Sequence, residues 1–312
     1  MIFYKAIYFA LFTINRSEMR IIMYYYVDYI KDVKKITDMY RNIISIVDSV
    51  QSYDKRNIYA LKLGRGKICG IISAGVHGRE YVNTPALMNV IKEYLYKYYS
   101  LSRKNTRNEY VDLQNKALII VPLLNPDGYE IALRGYNVLN DSYLRKICIS
   151  RNINYTEWKE NARGIDINRN FDSITWKQKS KEDYPFSEVE SQFMKRIFDK
   201  YYRGIYIDIH SRGKNIYYYR KSMDDIYNNR QKIIAKDISS FTKYRLSDEQ
   251  EEINVGDSGG NTVHYYSEKY NCPTLTIETV EEDETFPLDY KNVDKIYEEI
   301  YPLLDYMLNY EI

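Results

Sequence analysis

The 312-residue chain reads as a single α/β domain, a central mixed, mostly parallel sheet with helices on both faces. Three observations predict this. Short, nearly continuous apolar runs alternate with longer segments that are apolar at helical spacing, the pattern of buried strands and the helices that cover them. No repeat, no Gly/Ser- or Pro-rich linker and no long single-sign charge block divides the chain, so one unit is expected from about residue 24 onward. Hydrophobic residues make up 45% and charged residues 28%, which is a globular balance, and the length allows a sizeable core.

Before that unit, Ala6 to Ile14 form an apolar run after Lys5, too short to span a bilayer. It resembles a signal-peptide core, but Asn15-Arg16-Ser17-Glu18 follows where a small-x-small cleavage site would stand. Residues 1–23 are therefore expected to be an N-terminal extension, signal-like in part, outside the folded unit of 24–312. No stable membrane insertion is expected. Ile30, Val33, Ile36 and Tyr40 then recur at helical spacing. Ile58 to Leu63 and Ile68 to Ser73 predict two strands. Thr84 and Pro85 predict a capped helix start, with Leu87, Val90, Ile91, Tyr94 and Leu95 as its buried stripe. Ala117 to Val121 predicts a strand stopped by a turn at Asn125-Pro126-Asp127-Gly128. Ser187-Glu188-Val189-Glu190 has the spacing of a capping box ahead of a helix on Val189, Phe193, Ile197 and Tyr201. The run Ile205 to His210 and the run Thr274 to Glu278 complete the strands, and Val293 to Leu308 predicts a last helix bent at Pro302.

A net charge of +2 gives no reason to expect nucleic acid or an anionic membrane as partner. The 36 tyrosines are read as compositional bias of the source rather than as a binding surface. Cys69, Cys148 and Cys272 are odd in number and widely spaced, so each is expected to act as a small apolar residue. They fit a reducing compartment, and a cytoplasmic location is favoured over a secreted or cell-wall one.

The chain has only three histidines, and two of them stand at predicted strand ends. In α/β sheets, functional groups gather at the carboxyl ends of strands. His77 and Glu80 lie three residues apart, and His210 is followed by Ser211. Two imidazoles, a carboxylate and one open position are the donor set of a catalytic zinc. A His-x-x-Glu pair alone is weak, since a strand-end histidine is more often a satisfied core residue. The ordered set is stronger: His77-Gly78-Arg79-Glu80, Asn125-Pro126-Asp127-Gly128, Gly164-Ile165-Asp166-Ile167-Asn168-Arg169-Asn170-Phe171, His210-Ser211, Ser258-Gly259-Gly260 and Thr276-Ile277-Glu278. That order and spacing resembles the zinc carboxypeptidase (carboxypeptidase A) family from about Tyr24 to the C-terminus.

The resemblance implies one Zn2+ per chain, held by His77, Glu80 and His210 with water in the fourth position. It implies Glu278 as general base, at the end of a strand whose apolar surroundings would raise its pKa. Asp166 would fix the tautomer of His77, or else simply cap a turn. Arg145 would polarise the scissile carbonyl and stabilise the oxyanion, with Lys146 and Arg151 as alternatives. Asn168 and Arg169 would grip a substrate carboxylate, a task suited to the planar guanidinium. A cis peptide between Ser211 and Arg212 is implied as well. The family's mobile tyrosine is replaced here by Val255, and Thr262 falls near the specificity pocket, where a small polar residue argues against a pocket for Lys or Arg. His264 is off the metal pattern and is expected to be structural.

Trp158 to Gly164, and Arg212 to Tyr217 after the His-Ser pair, look like bacterial members that cut γ-D-glutamyl–diaminopimelate bonds. The expected partner is thus a peptide or muropeptide substrate. Two rivals remain: a zinc amidohydrolase of the aspartoacylase or desuccinylase type, and an inactive homologue acting as a binding module. The Asn125-Pro126-Asp127-Gly128 turn and the Asn168-Arg169 pair argue against the first. The presence of all three ligands and of Glu278 argues against the second.

Overall fold

A computed structural model describes residues 23–102, 112–251 and 259–310. The apolar run at 6–14, Val255 and Ser258 lie outside the described residues. Met23, the last residue of the expected extension, packs against the core.

Helix α1 (Tyr26–Met39) buries Val33 and Ile36 as expected, with Tyr29 as the third buried residue, while Ile30 and Tyr40 are half-buried. Strand β1 (Ile44–Gln51) follows and pairs antiparallel with β2 (Asn57–Gly64). Then come β3 (Lys67–Ala74), α2 (Asn83–Ser102), β4 (Lys116–Val121), α3 (Pro126–Arg134), α4 (Ser142–Ser150) and α5 (Val189–Tyr201). The second half holds β5 (Ile205–Ser211), β6 (Asn215–Tyr217), α6 (Asp225–Thr242), β7 (Arg245–Leu246), α7 (Thr262–Tyr270), β8 (Thr274–Thr279), α8 (Asn292–Ile300) and α9 (Leu303–Asn309). The eight strands form one sheet in the order β1-β2-β4-β3-β5-β8-β6-β7. Its centre, β4-β3-β5-β8, is parallel throughout.

Strand alternation explains the two layers of helices. Ile71, Ile119 and Tyr206 face one apolar cluster, filled by Phe193, Ile197 and Phe198 of α5 and Val263 and Tyr266 of α7. Ile72, Ile120, Ile207 and Ile209 face the other, filled from α1, α2, α6, α8 and α9. Every residue of β5 is buried, as expected of a central parallel strand.

Several local expectations are corrected. Thr84 does not cap α2; its hydroxyl donates to the Pro122 carbonyl at 2.9 Å, tying the helix start to the chain after β4. Asn125-Pro126-Asp127-Gly128 is a helix start rather than a turn, because Asn125 accepts the Gly128 N–H and Pro126 suits the first turn. The same residue types serve both roles. The capping box at 187–190 does not form: Glu188 is the N-cap residue and makes no side-chain cap. Glu190 turns inward instead, where burial pushes its carboxyl up to about 8. The last helix is divided at Pro302 as foreseen. Cys69, Cys148 and Cys272 are unpaired. Among the described residues, no helix is long and apolar enough to cross a membrane.

Candidate active site

The site lies where the parallel strands end. His77 follows β3, and Glu80 closes a single 3-10 turn, Gly78–Glu80. That turn is packed so tightly that a Cβ on Gly78 would lie 2.2 Å from the Gly128 carbonyl. Asn125 stitches the surroundings together, donating to Val76 O at 3.0 Å and Glu160 O at 3.1 Å. The buried Asn-Pro-Asp-Gly segment therefore supports the histidine loop. His210 is the penultimate residue of β5, directly opposite Glu278 of β8 in the ladder. The Ser211–Arg212 bond is cis.

His77, Glu80 and His210 each present one ligand atom, all within 4.8 Å of one another. Glu80 bridges the pair, with Oε1 2.6 Å from His77 Nδ1 and Oε2 3.1 Å from His210 Nδ1. The Ser211 N–H also donates to Glu80 Oε2 at 3.1 Å. Behind each imidazole stands a further carboxylate. Asp166 Oδ1 is 3.3 Å from His77 Nε2, and Asp208 Oδ2 is 3.1 Å from His210 Nε2. Asp166 also accepts the Asn168 N–H, so turn-capping and histidine-holding are one arrangement.

Burial would raise the Glu80 carboxyl, but the His77 and His210 rings hold it down to about 2. Burial likewise opposes charge on both imidazoles, and the carboxylates around them outweigh it, so both are raised. Three ionised carboxylates converging on two imidazoles call for a cation. Two nitrogens and a carboxylate with a low pKa are the donor chemistry of zinc, and the residues fit that ion. Glu278 differs from them. Burial is the main cause that pushes its carboxyl up to about 8, with His210 pulling down and Glu80 pushing further up. Its Oε2 is sealed from solvent without a hydrogen-bond partner.

Asn168 and Arg169 stand in the turn that Asp166 opens, within the same loop as His77's partner. Gly260 holds that loop against α7. Its carbonyl accepts the Phe171 N–H at 2.9 Å, its φ is +77°, and a Cβ there would come within 2.7 Å of the Arg169 carbonyl. Asn168 Oδ1 accepts the Thr262 N–H at 3.0 Å. Thr262 itself is fully buried, and its hydroxyl donates to Asp208 Oδ2 at 2.5 Å. His264 is buried with Nδ1 3.5 Å from Thr175 Oγ1, away from the three ligands.

The Arg145 guanidinium donates to the Leu139 carbonyl, six residues back along the chain. Of the two alternatives, Lys146 is exposed and Arg151 donates to the Gly164 carbonyl. A cation that does reach the site is Lys159, whose Nζ is 2.7 Å from Asp166 Oδ2. Sequence reasoning noted its segment without assigning it a role. Asp208 was also missed, although alternation along a strand places residue 208 on the same face as residue 210.

The family model described as zinc carboxypeptidase matches residues 29–302. Carboxypeptidase B of Helicoverpa zea is 27% identical over 211 residues, covering 62% of this chain and 44% of that protein. Gamma-D-glutamyl-L-diamino acid endopeptidase 1 of Lysinibacillus sphaericus is 23% identical over 243 residues, covering 72% of this chain and 57% of that one. The chain thus spans about half the length of the curated relatives it matches. The solved structure of thrombin-activatable fibrinolysis inhibitor superposes with a TM-score of 0.71 at 17% identity, covering 91% of this chain and 73% of that one, a likeness of fold. The chain belongs to the zinc carboxypeptidase family.

Proposed function

We propose that the protein is a zinc-dependent peptidase that hydrolyses an amide bond next to a substrate carboxylate. The convergence of His77, Glu80 and His210, with Glu278 opposite His210 in the ladder and its Oε2 unpartnered, carries this reading. Zinc held by those three residues would act as a Lewis acid and acidify water. Glu278 takes a proton from the attacking water and passes it to the leaving amine as the C–N bond breaks. A carboxylate pressed up towards neutrality by burial is suited to both transfers.

Asn168 and Arg169 hold the substrate carboxylate. With Asn168 Oδ1 occupied by the Thr262 N–H, its amide NH2 is left to donate. Lys159, rather than Arg145, supplies positive charge beside the reacting carbonyl. Lys159→Met is expected to lower kcat by roughly 10²-fold, the usual cost of one oxyanion donor, with zinc retained. Arg145→Ala is expected to stay within a few-fold of wild type. Steady-state kinetics with zinc analysis checks both; the reverse ranking would restore Arg145.

The substrate class favoured is a peptide carrying a free carboxylate, including γ-D-glutamyl–diaminopimelate muropeptides, in keeping with the Lysinibacillus relative. Incubating the zinc-loaded protein with C-terminally free peptides, muropeptides and N-acyl amino acids, read by mass spectrometry, tests this. Cleavage beside a carboxylate in a peptide or muropeptide is expected. Cleavage of N-acyl amino acids alone would move the protein to the amidohydrolase class.

A further inference from the structure

The hydrogen bonds behind His210 lead out of the metal cluster and into the carboxylate-binding loop. Tyr206, Asp208 and His210 alternate with apolar residues along β5, so all three side chains share the face that packs under α7. Asp208 is fully buried and takes three donors: Ser73 Oγ at 2.6 Å on Oδ1, and Thr262 Oγ1 at 2.5 Å and His210 Nε2 at 3.1 Å on Oδ2. Ser73 sits on β3 directly across the ladder from Asp208, and its oxygen is also 2.8 Å from the Tyr206 hydroxyl. Thr262 opens α7 and, through its own N–H, fixes Asn168 Oδ1 at 3.0 Å.

A buried carboxylate is costly unless its hydrogen-bonding sites are filled, and here donors from three elements fill them. Ser73 and Thr262 could accept as well as donate, but the ionised carboxylate can only accept, so all three donors must point at it. That orders the imidazole. With Nε2 carrying the hydrogen to Asp208, Nδ1 is the nitrogen left to face Glu80 and the metal position. Asp166 does the same for His77 from the opposite side.

We propose that Asp208 is a positioning residue for the metal ligand His210, and that Thr262 joins it to Asn168, making the metal ligand and the carboxylate-gripping amide one hydrogen-bonded unit. This rests on the zinc reading above. Thr262 accordingly acts from beneath the site as a link and does not select a substrate side chain. Its hydroxyl hydrogen belongs to Asp208 and its N–H to Asn168, so a change in one partner reaches the other through a single buried residue. Carboxylates behind ligating histidines typically contribute 10- to 100-fold to metal affinity.

The test is zinc affinity, measured by competition with a chromophoric chelator, together with KM and kcat on a peptide with a free carboxylate. The wild type comes first: if it binds no zinc, the zinc reading itself fails. Given a zinc-binding wild type, Asp208→Asn is expected to bind zinc 10- to 100-fold more weakly. The zinc-induced rise in its melting temperature should shrink more than the metal-free melting temperature falls. Thr262→Val, which removes only the hydroxyl, is expected to weaken zinc several-fold and to raise KM for the carboxylate substrate. Thr262→Ser should restore both. Wild-type zinc affinity in a folded Asp208→Asn variant overturns the positioning role. Should that variant not fold, Thr262→Val decides the matter: unchanged zinc affinity and KM, or a loss that Thr262→Ser does not rescue, overturns the proposal.

Discussion

Glu278→Gln is expected to keep its zinc and to lose hydrolysis by about 10²–10⁴-fold. The amide has nearly the volume of the acid and can still hydrogen-bond, but it cannot accept the proton that the attacking water must give up. Glu278 stands opposite His210 in the β5–β8 ladder and is not one of the three residues whose ligand atoms converge, so metal retention should follow. The loss should fall on kcat more than on KM, because the group acts on the reacting atoms. Turnover near wild type with zinc bound would remove Glu278 from the role of base.

Arg169→Ala is expected to lower kcat/KM by about 10²-fold on a peptide with a free carboxylate beside the cut, the scale for losing one partner of a buried charge pair. The same substitution should do little to the matched amidated peptide, because the anion it would have met is already gone. Arg169 donates to the carbonyl of Asn168, so the two residues of the clamp are held in one turn. Equal damage to both substrates would make Arg169 a structural residue and would point away from a carboxylate-directed enzyme.

The legible parts of the fold are those where burial is most extensive. Strands β2, β3, β4, β5 and β8 appear as apolar runs because most of their residues are buried in the interior of the sheet, β5 throughout. Strand β1 was not foreseen: it is an edge strand, largely exposed, with an irregular register between Ile46 and Asp48, so its sequence shows no clean alternation. Helices α4, α6 and α7 were missed as well. In α7, residues 262 to 267 are buried without a break, which leaves no polar stripe to reveal the period.

Within the site, His77, Glu80, His210 and Glu278 were legible through the motif order that resembles the zinc carboxypeptidase family, and each stands at a strand end or in one short turn. Arg145 was placed by a loose local match, and its long side chain runs to a carbonyl six residues back along the chain, which no local pattern reports. Lys159 is the counterpart. Its destination, Asp166, is settled only when the Gly78 N–H bonds its carbonyl and brings the two loops together. Asp208 was within reach, since alternation alone puts it behind His210.

Metal stoichiometry tests the zinc site most directly. The purified protein, supplied with zinc and then freed of excess, is analysed by elemental mass spectrometry beside a His77→Ala/His210→Ala double variant confirmed to be folded. One zinc per chain in the wild type and none in the double variant is the expected result. No zinc in the wild type even after it is supplied, or equal zinc in both proteins, would contradict a catalytic centre built on His77, Glu80 and His210.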